Sequence, residues 1–386
     1  MIKEIYLDNS ATTALSPAVK AAMNEAMETY GNPSSLHSAG LAAERIIREA
    51  RKNVGEALGV RSLKDSQLIF TSCGSEANNL AIFGTVYAKA RRTANKIITT
   101  DSEHPSVENP LRRLEESGFK VVRIPTKSGS LDMEMLQKES EGVLLASLMM
   151  VNNETGASYN VSEAFRLIKA KSPDAVTHCD AVQGFLKKKF AATTLGADLI
   201  TLSAHKIHGP KGVGALYINP DIIKKKKIIP YLLGGGQEYG LRSGTENTVG
   251  IAGFGAAAKE GFGDLEKSLA GMAAVKAHII KNLPGEIRVN SPIGEAAPHI
   301  VNITLPRIKS ETMLHYLSSK GIFVSSGSAC SSHSSSPSSA LIAFGIDAKE
   351  ADCSLRISLC PENTAEDANT LCKALTEGLN TLVRIK

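Results

Sequence analysis

Ser203-Ala204-His205-Lys206 closes an apolar run, Asp198-Leu199-Ile200-Thr201-Leu202, and Gly209-Pro210-Lys211-Gly212 follows. Ser203 and His205 can donate to a phosphate, and the Lys206 amine can form a Schiff base with a carbonyl. A solvated strand exit accounts for these residues about as well on their own. Their meaning therefore depends on what other strand exits carry.

Four other strand exits carry chemistry. Thr71-Ser72-Cys73-Gly74-Ser75 lies between a strand and a helix, where backbone N–H groups and a hydroxyl make either a phosphate cradle or an ordinary cap. Asp180 follows Ala175–His178, with Gln183 three residues on. A carboxylate there can keep a pyridine nitrogen protonated and the amide can bond a ring hydroxyl, or the aspartate simply caps a helix. His104, in Asp101-Ser102-Glu103-His104-Pro105, can stack on a flat ring or stand solvated in a loop. Asn152-Asn153-Glu154 can reach a ring oxygen and a substrate carboxylate, or form an Asn-rich turn. Independent caps and turns mimic each of these singly, but hardly all of them in one chain. Together with Lys206 they read as a pyridoxal 5'-phosphate site.

Two residues bear on the substrate. Arg356 stands inside the apolar strand Ser354–Ser358, and an arginine is rarely buried without a partner. It either grips an α-carboxylate bidentately or makes a structural ion pair. Cys330 sits in the small, polar stretch Ser325–Pro337. A thiol in such a segment suits a nucleophile that travels, and an incidental cysteine in a Ser-rich linker is the bland alternative.

These residues need a scaffold that brings strand exits together. From Gln67–Phe70 onward, strands alternate with helices: Lys96–Thr99, a helix at Val107–Glu116, Val121–Ile124, a helix at Met133–Lys138, Val143–Val151, a helix at Val161–Lys171, Ala175–His178, the Ser203 strand and Val213–Ile218. Alternation of this kind predicts a mainly parallel sheet covered on both faces, with ligands beyond the strands' carboxyl ends. Leu36, Gly40, Ala43, Ile46/Ile47, Ala50, Val54 and Leu58 recur at helical spacing. After about residue 260 the pattern becomes that of a smaller α+β unit.

The bulk properties exclude several classes. The 386 residues suffice for two domains, and tryptophan is absent, so no stacking surface for nucleic acid is expected. The net charge of +5 is mild. Lys187-Lys188-Lys189 and Lys224–Lys227 read as solvated faces. No run is long enough to span a bilayer, so no membrane association is expected. The opening Met1–Asp8 lacks a signal-like apolar stretch, which makes the cytoplasm the default compartment. The six cysteines show no zinc-type spacing, and no metal site is expected.

The chain resembles the cysteine desulfurases of the NifS/IscS type, in the class V aminotransferase family of fold-type I pyridoxal-phosphate enzymes. The likeness covers Leu7–Thr13, Gly31–Ser35, Val151–Glu154, Ser203–Lys206 with Gly209–Gly212, Gly234–Glu238, Arg242–Thr245 and Ser325–Cys330. It implies an α/β large domain with a mainly parallel seven-stranded sheet at 13–260, and an α+β small domain at 1–12 and 261–386 carrying the cysteine loop at about 325–337. It implies removal of sulfur from L-cysteine, giving L-alanine and a persulfide on Cys330. Lys206 would hold the cofactor and move the α-proton. Gly74, Ser75, Ser203 and His205 would bind phosphate, with Thr245 arriving from the other subunit of a homodimer. His104, Asp180, Gln183 and Asn153 would surround the ring, with His104 also counted as catalytic, and Arg356 with Asn153 would take the substrate. Cys330 is also a candidate transient iron–sulfur ligand. A scaffold or acceptor protein would receive the sulfur, for iron–sulfur cluster assembly or tRNA thiolation. A selenocysteine or cystine lyase, an aminotransferase of this fold, and a sulfur-carrying interaction protein stay open as alternatives. Cys73, Cys179 and Cys360-Pro361 depart from the family's usual residues.

Overall fold

The computed structural model describes residues 4–88, 94–292, 294, 296–326 and 338–385. Cys330 lies outside the described residues, with the rest of 327–337.

The strands are β1 (Ile5–Tyr6), β2 (Leu68–Thr71), β3 (Lys96–Thr100), β4 (Lys120–Ile124), β5 (Val143–Met149), β6 (Val176–Asp180), β7 (Leu199–Ser203), β8 (Gly214–Ile218), β9 (Arg288–Val289), β10 (Ile300–Thr304), β11 (Ile322–Phe323), β12 (Ser325–Ser326) and β13 (Ser354–Ser358). A seven-stranded sheet takes the order β2-β8-β7-β6-β5-β3-β4. β8 pairs antiparallel with both β2 and β7, while the pairs from β7 to β4 are all parallel. The carboxyl ends of β2, β3, β5, β6 and β7 therefore lie on one edge of the sheet.

Both faces of that sheet are covered, so its strands are apolar almost throughout. Helices α1 (Pro17–Met27), α2 (Ser38–Ala57) and Thr248–Gly263 share a core with Ile98, Ala146, Leu148, Ile200, Leu202 and Ala215. On the other face, helices α3 (Gly74–Val86) and α4 (Pro105–Glu116) pack on Ile97, Leu145, Val176, Leu199 and Leu216. The alternation along each strand assigns polar residues to faces as well. Asp180 shares the face of Val176, and Ser203 that of Leu199, so both point toward α3.

A second, antiparallel sheet, β12-β13-β10-β9, buries Val301, Ile303, Leu355 and Ile357 against the helices Leu265–Asn282, Ser310–Ser319 and Ala365–Thr381. Ile5 and Leu7 join this core, and β1 pairs in parallel with β11. Leu341, Phe344, Ile346 and Ala351 instead join the core of the larger sheet.

Three expectations change. Leu36 precedes the N-cap of α2 and is 91% exposed, so it is no part of that helix's apolar stripe. The lysine runs are not simply solvated. Lys187 is buried, with Nζ 3.3 Å from Gln183 Oε1, and Lys227 is buried with Nζ 2.9 Å from the Asp174 carbonyl. The stretch Ile322–Ser325 divides between two sheets, because β11 follows β1 while β12 crosses to β13.

Candidate active site

A cavity of about 320 Å³ opens at the carboxyl edge of the large sheet. Gly74, Ser75, His104, Asn153, Asp180, Gln183, Ser203, His205, Lys206 and Arg356 all line it. Those residues come from five strand exits and from β13. Thr245 is exposed and does not line the cavity of its own chain.

Along one wall, Asp180 ends β6 and is almost wholly buried. Its carboxylate accepts from Asn78 Nδ2 at 2.8 Å and from the Val182 N–H at 3.0 Å. The same Asn78 amide donates to Ser106 Oγ at 2.9 Å, and Ser106 Oγ lies 2.8 Å from His104 Nδ1. His104 caps α4, and its Nδ1 also accepts from the Ser106 N–H at 3.1 Å. An accepting Nδ1 places the imidazole proton of the neutral ring on Nε2. Burial lowers the His104 pKa, and the Lys206 and Arg356 charges add to this against Asp180. His104 is thereby kept neutral. Asn78 reads as an ordinary mid-helix polar residue in the sequence; only the meeting of α3 with β6 and α4 gives it this role.

Where α3 begins, Cys73 is the N-cap, its sulfur accepting from the Glu76 N–H at 3.5 Å. A Cβ on Gly74 would meet Val182 Cγ2 at 3.1 Å and Ser203 Cβ at 3.3 Å. Ser203 Oγ is buried with no partner, although it lines the cavity. A buried hydroxyl left unsatisfied costs about 1–3 kcal/mol, which a bound acceptor would recover.

The floor is held by the N-terminal segment. Lys206 Nζ donates to the carbonyls of Ser10 at 2.6 Å and Ala11 at 2.8 Å. Gln183 Nε2 donates to Ser10 O at 2.9 Å, while its Oε1 lies 3.3 Å from Lys187 Nζ and 3.2 Å from His299 Nε2. Two donors on Oε1 fix which way the Gln183 amide points. Burial, helped by Lys206, pushes the Lys187 ammonium down to about 7, and burial with Lys206, Lys187 and Lys211 pushes His205 down to about 4. Positive groups thus crowd a site that suits anions.

Arg356 makes the structural ion pair and also faces the cavity. It pairs with Asp8 Oδ1 at 2.8 Å and donates to the Asn153 carbonyl at 3.1 Å. It also lines the cavity, and its buried Nε has no partner. Asn152 is the turn-former: its Oδ1 accepts from the Glu154 and Thr155 N–H groups, leaving Asn153 to face the cavity.

The model of the aminotransferase class-V family matches residues 5–371. The chain belongs to the class-V aminotransferase family. Among its class-V relatives, the cysteine desulfurase of Nostoc sp. is 37% identical over 379 residues, covering 97% of this chain and 92% of the relative. The cysteine desulfurase IscS of Dictyoglomus turgidum is 37% identical over 375 residues, covering 96% and 93%. A solved NifS-like protein superposes with a TM-score of 0.90 at 34% identity, covering 98% of this chain and 100% of that one. Class-V enzymes of this kind depend on pyridoxal phosphate. The residues present fit that group: an orphaned hydroxyl and a side-chain-free glycine stand at one end, and a buried carboxylate at the other.

Proposed function

We propose that the chain is a cysteine desulfurase that converts L-cysteine to L-alanine and stores the sulfur as a persulfide on Cys330. The observation that carries this reading is the convergence of Lys206, Asp180, His104 and Arg356 on one cavity, in a chain that matches cysteine desulfurases over almost its whole length. Gly74, Ser75, Ser203 and His205 hold the cofactor phosphate. Asp180, Gln183 and His104 would hold the ring, the Asp180 carboxylate favouring a protonated ring nitrogen. Pyridoxal phosphate, when bound, supplies an electron sink for the charge that develops at the substrate α-carbon.

The other parts belong to the chain. Lys206 holds the cofactor and then carries the α-proton. Arg356, already anchored by Asp8 and Asn153 O, offers its unpartnered Nε to the substrate carboxylate. Cys330 attacks the substrate sulfur: the S–S bond forms, the C–S bond breaks and the carbon takes a proton, leaving alanine. The segment that holds Cys330 is bounded by residues tied to Arg356 and to Glu154. Ser325 pairs with Arg356 across β12 and β13, and Ser338 Oγ donates to Glu154 Oε2 at 2.6 Å.

The working form is a homodimer. Tyr231, Leu232 and Leu233 are 55%, 46% and 77% exposed, on the segment that leads to the exposed Thr245. A second copy covers them and delivers Thr245 to the phosphate. The thiol chemistry suits the reducing cytoplasm, and a scaffold or acceptor protein takes the sulfur onward for iron–sulfur cluster assembly or tRNA thiolation.

The test is alanine and sulfide production from cysteine and a reductant, alongside the visible absorbance of the bound cofactor. Lys206→Ala loses the absorbance band and the activity, while Cys330→Ser keeps the band and loses sulfide release. Undiminished activity in Cys330→Ser would falsify the persulfide route.

A further inference from the structure

His208, Cys360 and Glu362 come together beside the active site but outside its cavity, and their ligand atoms all lie within 4.8 Å of one another. His208 follows Lys206 in the loop after β7, whereas Cys360 and Glu362 follow β13. Among the described residues no second His/Cys/carboxylate trio of this kind occurs.

The histidine is held as a ligand. Its Nδ1 lies 3.0 Å from the Ala14 carbonyl, and a carbonyl can only accept. The proton therefore sits on Nδ1, and Nε2 presents its lone pair toward Glu362 Oε2, 3.8 Å away. Metal-binding histidines are typically oriented in this way, by spending the other ring N–H on a carbonyl or carboxylate. The backbone is fixed as well. The His208 N–H donates to Thr13 Oγ1 at 2.7 Å, and its φ of 66° holds it in the left-handed region.

Cys360 supplies the soft donor. With His208 it lines a pocket of about 50 Å³, together with Lys187, Lys206, Leu359 and Pro361. That is room for an ion with bound water, since about 10–15 Å³ of such volume holds one water. Glu362 is 68% exposed and stands on the solvent side.

We propose that His208, Cys360 and Glu362 bind a thiophilic divalent ion of the zinc class, with water as the fourth ligand. A nitrogen, a sulfur and one carboxylate favour zinc over calcium or magnesium, which take oxygen ligands. To reach bond lengths of about 2.0–2.3 Å the donors must close up, and the exposed Glu362 carboxylate is the one free to swing. On binding, the Cys360 thiol releases its proton to solvent and gives up its 3.4 Å hydrogen bond to Asn363 Oδ1. The ion ties the loop after β7 to the loop after β13, and so links the two sheets.

The experiment uses the cofactor-loaded Cys330→Ser protein, which lacks the competing thiol. Zn²⁺ is titrated against a chelating dye, and Co²⁺ binding is followed by its ligand-field absorption to the red of the cofactor band. One equivalent binds, the Co²⁺ spectrum has tetrahedral intensity, and Zn²⁺ raises the melting temperature. Cys360→Ser and Glu362→Gln each weaken Zn²⁺ binding by at least about tenfold, with the cofactor absorbance unchanged. Glu362→Gln alters only an exposed side chain, so it reads the site even if Cys360→Ser folds poorly. Zn²⁺ affinity and Co²⁺ spectrum unaltered by both substitutions overturn the proposal.

Discussion

Glu103 is nearly sealed from water, one residue before the His104 that caps α4. Its Oε1 accepts from the Met149 N–H and from Thr100 Oγ1, both at 2.8 Å, and its Oε2 is buried with no partner. Burial pushes this carboxyl up to about 8. The folded protein therefore keeps the proton above pH 4.5, where the unfolded chain releases it, and folding becomes less favourable as pH rises from 4.5 toward 8. Glu103→Gln keeps the accepting oxygen and cannot ionise. Urea unfolding is expected to show the variant level with wild type near pH 5 and more stable at pH 8.5; a gain of equal size at both pH values would contradict the assignment. Gly74 is the second case at this scale. A methyl there meets Val182 and Ser203 at 3.1 and 3.3 Å. Gly74→Ala should raise the cofactor dissociation constant by about tenfold or more, or about 1.4 kcal/mol, while leaving the fold intact. Fluorescence titration of the apoprotein measures it.

Between elements, one tie outside the site is the buried pair Arg51–Glu238. Arg51 of α2 donates to both Glu238 oxygens at 2.7 and 2.8 Å and to the Leu68 carbonyl at 3.0 Å. Glu238 in turn accepts from the Phe70 N–H at 2.8 Å, so β2, α2 and the 238–240 turn share one network. Removing one partner leaves the other buried and unpaired, which typically costs about 3–5 kcal/mol. Arg51→Ala should lose stability of that order, and Arg51→Met with Glu238→Leu should recover much of it; denaturant midpoints decide. Such ties also mark where sequence reading stops. The strand exits were legible because a parallel sheet must gather its carboxyl ends, so Ser203, Asp180 and His104 could be assigned together from their order alone. Asp8, Asn78, Lys187 and the His208–Cys360–Glu362 group were not. Each depends on a contact between elements distant in sequence, and a lysine run or a mid-helix asparagine looks the same whether solvated or buried.

For the molecule as a whole, several histidines are buried and neutral. His178, between Ser147 Oγ at 2.8 Å and Thr201 Oγ1 at 3.0 Å, is pushed down to about 4 by burial. Burial lowers His104 and His205 too, and His299 well below the usual range. An unfolded histidine takes up its proton near pH 6.5. Stability contributed by these groups is therefore present above pH 6.5 and lost as pH falls toward 4, with His178 alone accounting for about 3 kcal/mol. Glu103 acts in the opposite sense, as do Asp101, Glu154 and Glu238, whose carboxyls burial also raises. From pH 7 down to pH 5 the unfolding free energy of wild type should decline relative to that of His178→Gln. A slope unchanged in the variant would remove His178 from the account.

The segment from Ile5 to Thr13 has partners in the parts of the chain that form both sheets. Ile5 pairs with Ile322, Asp8 with Arg356, and Ser10 and Ala11 receive Lys206. During synthesis residues 5–8 can pair only after β11 and β13 have been made, whereas the Ser10 and Ala11 carbonyls need the chain only as far as Lys206. The large sheet can close earlier, because its strands end at Ile218. A nascent chain therefore has the large sheet, and the Lys206 contacts to Ser10 and Ala11, before it has the Asp8–Arg356 pair.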